Sequence, residues 1–360
     1  MVNFGSKNLQ FVLRVKYFFL NQLFYSFKYW FKQKNNSKNT LFQCVCGVLS
    51  FFVLFCIGFE SYAQQTAIFS QYMFNQLTIN PAYAGSSELV NLFATSRQQW
   101  VGATGGPKTT VFAIDAPIDP FGTEAGIGLN FSNDQIGFSE EIAVNLIGSI
   151  RFRLNTGVLN AGLSLGMINH VIDPDFYLGD KNGLSDDHSD QDPLMLTSKE
   201  SATAMDLGMG AYYSWDDGYI GVSAMHLLNP EPEFDGEYYF YFKRTWFLSG
   251  GYKFALVDKP IVFKPSIMME TDGASFQTDI NLLTYYKKRY WGGLGYRLQD
   301  AVMLSVGIEL KNGLKIGYTY DVPASAFSRN YGGSHELALG YQFDLRIDKK
   351  GKGYKSVRYL

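Results

Sequence analysis

The sequence has little charge and almost no excess of either sign. Lysine, arginine, aspartate and glutamate together form 18% of the 360 residues, and the formal net charge is −2. Soluble domains usually carry about 25% of these residue types. The near balance argues against nucleic acid or another strongly anionic partner. The mean hydropathy of −0.08 is also too polar for a bundle of membrane-spanning helices.

Cysteine is confined to one short stretch near the start of the chain. Cys44, Cys46 and Cys56 all lie in the apolar run 41–59, and no cysteine follows it. If this run is removed, the remaining chain has no thiol to form a disulfide, bind a metal or act as a nucleophile. The sequence also lacks a G-x-S-x-G motif, and its four histidines have no zinc-type spacing. We therefore predict no catalytic, metal or cofactor site.

The chain is rich in aromatic residues and glycine. Aromatic residues form 16% of it, and there are 36 glycines. Together with the low charge and neutral hydropathy, this composition is typical of alternating strands that face lipid on one side. Composition alone leaves a soluble β-sandwich open as the alternative.

The first 63 residues have the features of an export signal. Residues 1–40 contain seven lysines or arginines and no acidic residue, and the apolar run 41–59 is followed by Ser61-Tyr62-Ala63. This order predicts a secretory signal peptide over 1–63, cleaved after Ala63. A retained transmembrane helix is the alternative, since the apolar run is nearly long enough to span a bilayer of about 30 Å. The basic region is unusually long, which either a start codon placed too far upstream or a genuine amphipathic extension would explain.

From residue 88 onward, apolar and polar residues alternate with a period of two. In the stretch 125–132 the odd-numbered residues are apolar, and the even-numbered ones are Gly, Asn or Ser. Several such stretches run for about ten residues, enough to cross a bilayer. We therefore predict an all-β fold, a transmembrane antiparallel β-barrel of about fourteen strands over 88–346. The predicted strands are 89–98, 108–117, 124–133, 140–154, 158–170, 203–215, 218–226, 243–254, 260–269, 275–286, 290–298, 301–310, 313–321 and 334–345.

The connections between the predicted strands alternate in length. After even-numbered strands they are mostly short, and those at 155–157, 216–218 and 311–313 contain glycine, which suits a hairpin. After odd-numbered strands they include the long connections 99–107, 171–202, 227–242 and 322–333. This asymmetry is typical of outer-membrane barrels, whose turns face the periplasm and whose loops face the outside. It favours the barrel over the sandwich and predicts that both ends of the mature chain are periplasmic.

Distinctive sequence motifs occur at 69–75, 79–85, 97–102 and 106–109, and again at 333–337 before the last predicted strand. These motifs resemble the PorP/SprF family of type IX secretion system membrane proteins, although Gln98 stands where that family commonly has Asn. The residues that carry the resemblance, and that form our candidate site, are Phe69, Ser70, Gln71, Tyr72, Met73, Asn75, Asn80, Pro81, Tyr83, Gly85, Arg97, Trp100, Gly102, Pro107, Lys108, Ser334, His335 and Glu336.

The resemblance implies an integral outer-membrane component of type IX secretion, for which we expect no enzymatic activity. It implies as partners the outer-membrane lipid, a secreted surface protein as cargo, and periplasmic secretion subunits or lipoproteins, but no nucleic acid. Some members of the family serve the secretion and gliding-motility apparatus, and others serve one large secreted surface protein. A passive porin, a hydrophobic-solute transporter and a surface adhesin are the alternatives.

Residues 64–87 are too irregular, and too rich in Gln, Asn and Pro, to form a membrane strand. They nevertheless contain apolar side chains that would be costly to leave in water, namely Phe69, Tyr72, Phe74, Leu77, Ile79 and Tyr83. We predict that this N-terminal segment packs inside the barrel as a lumen plug. Its Asn and Gln side chains would then satisfy polar positions on the inner face.

Two charged stretches remain. The aspartate-rich stretch 180–192 has oxygen ligands and a glycine, as calcium loops do, but it lacks the EF-hand spacing and the final glutamate. These departures favour a solvated extracellular loop. The tail 347–360 is basic and contains several glycines, which predicts a flexible periplasmic tail. The tail is either simply solvated or docks on an acidic periplasmic partner.

Overall fold

The computed structural model describes residues 67–173, 199–234, 240–324 and 332–344. They form a closed antiparallel β-barrel of fourteen strands, which confirms the predicted fold. The strands are β1 (Val90–Gln98), β2 (Lys108–Ile118), β3 (Ala125–Ile136), β4 (Ser139–Leu154), β5 (Gly157–Ile172), β6 (Glu200–Trp215), β7 (Gly218–Met225), β8 (Thr245–Tyr252, continued by Phe254–Ala255), β9 (Ile261–Thr271), β10 (Phe276–Tyr286), β11 (Tyr290–Arg297), β12 (Ala301–Glu309), β13 (Leu314–Pro323) and β14 (Ser334–Phe343).

Each strand pairs with its neighbours along the chain, and the first strand pairs with the last. In this closing pair Val90 lies opposite Phe343, and Arg97 lies opposite Glu336. Because the sheet closes on itself, it has no free edge with unpaired backbone groups, which is the condition for crossing a membrane with strands.

The alternation along the strands places apolar side chains outside and polar side chains inside. On β4, Leu146 is 63% exposed and its neighbour Asn145 is 6% exposed. On β5, Leu165 is 52% exposed and Ser164 is 1% exposed. Such a regular band of exposed leucines on a continuous sheet suits contact with lipid rather than water.

The two ends of the barrel differ in the length of their connections. We call one the turn end, which carries connections 119–124, 155–156, 216–217, 256–260, 287–289 and 310–313. We call the other the loop end, which carries the longer connections 99–107, 173–199, 226–244 and 324–333. The loop end also has the short connections 137–138, 272–275 and 298–300, and every connection longer than six residues lies at this end, as the alternation of lengths predicts.

Residues 67–89, called the N-terminal segment below, precede β1 and form no strand. The 3-10 turns Tyr72–Phe74 and Pro81–Tyr83 flank a single helical turn, Gln76–Ile79. A further 3-10 turn, Pro120–Gly122, lies at the turn end. No helix within the described part of the chain is long and apolar enough to cross a membrane.

The buried apolar core is organised around the N-terminal segment. One cluster joins Tyr72, Met73 and Ile79 of the segment to side chains of the barrel, namely Phe247, Met268, Leu283, Tyr285 and Trp291. A second cluster joins Leu77, Ala82 and Tyr83 to Ala113, Ile147, Tyr212 and Tyr219. Of the apolar side chains that the sequence analysis judged costly to expose, Phe74 is half-buried and the other five are buried, namely Phe69, Tyr72, Leu77, Ile79 and Tyr83.

Candidate functional site

The N-terminal segment lies inside the barrel and runs along its length. Ser70 is fully buried beside the loop-end parts of β13 and β14, and Gly85 hydrogen-bonds near the turn end of β2. Between these points the segment bonds to β4, β5, β6, β7 and β9. The segment therefore occupies the lumen from one end to the other before the chain enters β1.

This path bears on the predicted position of the two ends of the mature chain. The alternation of connections led us to expect both ends of the mature chain at the turn end. The last strand does finish there, but Ser70 lies at the loop end, where its backbone N–H bonds to Glu336. The N-terminal segment therefore crosses the lumen before the chain enters β1, while residues 64–66, where the mature chain is predicted to begin, lie outside the described residues.

At the loop end, the start of the segment is held by carboxylates. Glu336 accepts hydrogen bonds from the backbone N–H groups of Ser70 and Gln71, at 2.7 and 2.9 Å. The hydroxyl of Ser70 donates to Asp321 at 2.8 Å. Hydrogen bonds to an ionised acceptor are roughly twice as strong as neutral ones, so the start of the segment is firmly attached.

Arg97 connects the carboxylates to one another and to the segment. Its guanidinium lies 2.6 Å from the carboxylate of Asp321 and 3.1 Å from that of Glu336. It also donates to the hydroxyl of Ser70 at 2.9 Å. Since Arg97 is on β1 and Glu336 is opposite it on β14, this contact lies directly on the pair of strands that closes the barrel.

A second arginine extends the same network. Arg297 lies 2.8 Å from the carboxylate of Asp279 and 3.5 Å from that of Asp321. Together these groups form the loop-end cluster, which consists of Ser70, Arg97, Asp279, Arg297, Asp321 and Glu336. All six are buried. Removing one member of such a network leaves an uncompensated buried charge, which is costly in a low-dielectric interior.

The middle of the segment is held by neutral bonds and ring contacts. Tyr72 donates its hydroxyl proton to Ser266 at 2.9 Å. The amide oxygen of Gln76 accepts from Ser249 at 3.2 Å. The ring of Phe74 packs on Trp291 with a centroid separation of 5.1 Å. The segment thus bonds to two hydroxyl groups of the inner face, those of Ser266 and Ser249, and adds a ring contact with Trp291.

At the turn end, Asn80 both shapes the segment and attaches it. Its side-chain oxygen accepts from the N–H of Ala82 at 2.9 Å, which caps the 3-10 turn that begins at Pro81. Proline suits this first position because it has no N–H to leave unpaired. The side-chain nitrogen of Asn80 donates to the carbonyl of Ala211 on β6 at 3.0 Å.

Glycines on the inner face allow the segment to approach the strands closely. A Cβ atom at Gly162 would lie 2.5 Å from the Cα atom of Ala82. Cβ atoms at Gly126 and Gly210 would overlap the carbonyl of Ala84 and the side chain of Asn80. The turn-end half of the segment therefore fits a surface from which side chains are missing at three strands.

Comparison with family models decides the family. The model described as type IX secretion system membrane protein PorP/SprF matches residues 61–341. This chain belongs to the PorP/SprF family. No curated protein matches it.

Three of the solved structures that match this chain are weakly similar to it. A mutant of the monoaromatic hydrocarbon channel TodX has 11% identity and a TM-score of 0.42, covering 75% of this chain and 94% of its own. The toluene transporter TbuX from Ralstonia pickettii has 12% identity and a TM-score of 0.41, covering 74% and 92%. Omp33 from Acinetobacter baumannii has 6% identity and a TM-score of 0.40, covering 71% and 99%. Likenesses this weak establish nothing about what the present chain binds or transports.

The residues that carry the family resemblance fall into three groups. The first lies in the N-terminal segment and is buried, comprising Phe69, Ser70, Gln71, Tyr72, Met73, Asn75, Asn80, Pro81, Tyr83 and Gly85. The second, Arg97 and Glu336, binds the start of that segment. The third group lies at the loop end of β1, β2 and β14, and comprises Trp100, Gly102, Pro107, Lys108, Ser334 and His335.

The third group shapes the loop end. Trp100 and Gly102 have positive φ values of 49° and 94°, so the β1–β2 connection turns sharply there. The carbonyl of Pro107 accepts from the N–H of Gln99 at 2.8 Å. The N–H of Trp100 approaches the hydroxyl of Ser334 at 3.4 Å. Lys108 is exposed, so the structure does not bring it together with the loop-end cluster.

Sequence reasoning missed three members of the loop-end cluster, namely Asp279, Arg297 and Asp321. A signal was available, because each occupies an inward position near the loop-end terminus of its strand. A charged residue there must be paired once the barrel closes. Asp115, which accepts from the N–H of Gly85 at 2.9 Å, was missed in the same way.

Several predictions concern residues that the structure does not describe. The signal peptide over 1–63, the aspartate-rich stretch 180–192 and the tail 347–360 lie outside the described residues. Within the described residues, no group of three or more His, Cys, Asp or Glu side chains could hold a metal ion.

Proposed function

We propose that this chain is a non-enzymatic, integral outer-membrane component of the type IX secretion system that supports export or surface anchoring of secreted proteins, among them adhesins of gliding motility. Membership of the PorP/SprF family supports the secretion role. The closed barrel with an apolar outer face supports a place in the outer membrane. Its loops would face the outside, its turns would face the periplasm, and the signal peptide over 1–63 would direct export.

One observation carries this proposal. The N-terminal segment fills the lumen, and it contains ten of the eighteen residues that carry the family resemblance. A barrel whose most distinctive residues fill its own interior is suited to act as a fixed platform in the membrane. An open conduit would instead leave those residues facing a water-filled channel.

If the barrel acts as a fixed platform in the membrane, each of its two ends would bind a different partner. Periplasmic secretion subunits or lipoproteins would dock at the turn end, and the secreted surface protein would be received or retained at the loop end. The N-terminal segment would act as a plug that keeps the outer membrane sealed while these partners assemble. The chain itself would then contribute binding surfaces rather than chemistry.

Deletion of the gene followed by proteomics of the cell surface tests this role. Loss of one surface protein would support a dedicated partner, and loss of many would support a place in the general apparatus. Re-expression of the wild-type chain should restore the missing proteins. An unchanged surface proteome in the deletion strain would overturn the proposal.

A truncation after Ile347 tests whether the basic tail docks on a periplasmic partner. If docking occurs through the tail, the truncated chain should reach the membrane at normal abundance and fold, yet fail to restore secretion. If the truncated chain restores secretion fully, the tail is not needed for docking, and the periplasmic partner would dock on the turns instead.

A further inference from the structure

Basic residues are unevenly distributed around the turn end. The connections 256–260, 287–289 and 310–313 carry five cations and a single anion, Asp258. The cations, all exposed, are Lys259, Lys287, Lys288, Arg289 and Lys311. The connections 119–124, 155–156 and 216–217 on the remaining arc carry four anions and no cation. The turn end therefore has one basic arc, whereas on the remaining arc Glu124 and Asp217 are paired with Arg153 and Lys253 of the adjoining strands.

The three basic connections form a continuous surface. The N–H of Lys287 donates to the carbonyl of Pro260 in the preceding connection at 2.7 Å. The carbonyl of Arg289 accepts from the N–H of Glu309 at the end of β12, also at 2.7 Å. These bonds hold the connections side by side, so the backbone positions of their cations are fixed relative to one another. We call this surface the basic platform.

The basic platform reaches the side of the barrel that faces lipid. Tyr286 and Tyr290 lie opposite each other at the ends of β10 and β11 and are 46% and 49% exposed. Lys287 lies over the ring of Tyr286 at 5.2 Å, and Arg289 lies over the ring of Tyr290 at 5.4 Å. Tyrosines on the outer face mark the headgroup level of a membrane, so these cations lie at the depth of lipid phosphates.

The backbone angles of the β10–β11 connection indicate that its two lysines serve a purpose other than forming the turn. Lys287 and Lys288 have φ values of 53° and 52°. Two successive positive φ angles are favoured by Asn-Gly, which adopts them without the steric cost that a lysine bears. Strained residues of this kind are commonly retained for function. Two lysines at the two strained positions fit a role in which their charge is used.

From these observations we propose that the basic platform binds the phosphate headgroups of anionic phospholipids in the leaflet at the turn end. The neighbouring residue Val257, which is 86% exposed on the same surface, adds an apolar contact next to the charges. An acidic protein would use the charges but would gain nothing from their position over outward-facing tyrosines. The basic platform would gather charged lipid along one arc of the barrel, independently of the secretion role.

The test uses the mature chain in nanodiscs that contain equal amounts of phosphatidylcholine and phosphatidylglycerol, with native mass spectrometry of the retained lipids. The wild type should retain phosphatidylglycerol preferentially. In the double variant Lys287→Asn/Lys288→Gly, the preference for phosphatidylglycerol should fall by at least about fivefold. Each cation near a charged membrane surface strengthens binding of anionic lipid by about this factor. The variant should fold at least as stably as the wild type, because Asn-Gly is preferred in this turn.

Two further variants serve as controls. Lys287→Arg/Lys288→Arg retains the charges and should retain the preference, whereas Lys349→Asn/Lys350→Gly removes the same charge from the tail and should leave the preference unchanged. Equal lipid preference in the wild type and the Asn-Gly variant would overturn the proposal. Capture of an acidic periplasmic protein by the platform, without any preference for phosphatidylglycerol, would overturn it as well.

Discussion

The two ends of the N-terminal segment are attached to the barrel in different ways. At the loop end, Ser70 and Gln71 are held by carboxylates that two buried arginines neutralise. At the turn end, residues 80–85 are held mainly by neutral hydrogen bonds and by close approach to inner-face glycines. The loop-end attachment depends on charge balance, and the turn-end attachment depends on shape. Different substitutions should therefore release the two ends.

The largest effect is expected from Arg97→Ala at the loop end. This change leaves Glu336 without its arginine and weakens the compensation of Asp321, so the free energy of unfolding should fall by about 3–5 kcal/mol. Denaturant unfolding in lipid vesicles, followed by tryptophan fluorescence, measures the loss. The matched control is Arg153→Ala, which removes an arginine that is 58% exposed and bonds to Glu124. The control should cost at most about 1 kcal/mol. Equal losses in the two variants would contradict the role of the loop-end cluster.

A smaller effect is expected from Gly162→Ala at the turn end. The added methyl group would collide with the backbone of Ala82, and overpacking of this kind costs about 1–3 kcal/mol. Gly148→Ala is the control, because a Cβ atom at Gly148 on the outer face would meet nothing within 4 Å. The same unfolding measurement applies to both variants. If Gly162→Ala proves as harmless as Gly148→Ala, the segment does not fit the inner face as closely as described.

The smallest expected effect is a change in the pH dependence of stability, and it arises at the loop end. His226 follows β7, and its Nδ1 atom lies 3.2 Å from the carboxylate of Asp206. Burial lowers the pKa of His226, but the nearby carboxylates of Asp206 and Glu141 outweigh burial, so the net pKa is raised. A raised pKa means that the charged pair stabilises the fold fully below the ordinary histidine pKa of about 6.5. That stabilisation is lost as the pH rises past the raised pKa.

The pH response is measured by thermal unfolding of the wild type and of His226→Gln at pH of about 5.5 and about 9. The wild type should lose more stability between the two pH values than the variant does. Gly162→Ala, which acts at the other end of the segment, should retain the pH response of the wild type. If the wild type and the His226→Gln variant lose the same stability between the two pH values, the His226–Asp206 pair does not contribute to the pH dependence.

The strands could be predicted from the sequence because their signals are local. Alternation and length are read within about ten residues, and the predicted strand 158–170 differs from the observed Gly157–Ile172 only at its ends. The apolar side chains of residues 64–87 likewise indicated a buried segment, since so many could not stay in water. Both features follow from neighbouring residues alone.

The loop-end cluster could not be predicted in the same way. Ser70 and Glu336 are separated by 266 positions in the sequence, and they meet only because β1 closes on β14. The family resemblance identified Arg97 and Glu336 as candidate residues but did not indicate which groups they bind. Asp279, Arg297 and Asp321 carry no recognised motif, and their pairing depends on the register of three strands. The direction in which the segment runs through the lumen is also a property of the closed barrel.

The conductance of single barrels in a planar bilayer tests the central claim, that the N-terminal segment closes the lumen, most directly. The full mature chain should show no steady current, because the segment occupies the lumen from the loop end to the turn end. A variant that lacks residues 64–83 should show a steady current in preparations that insert and keep the folded-barrel shift on gel electrophoresis. A full chain that conducts as well as the shortened one would contradict the account.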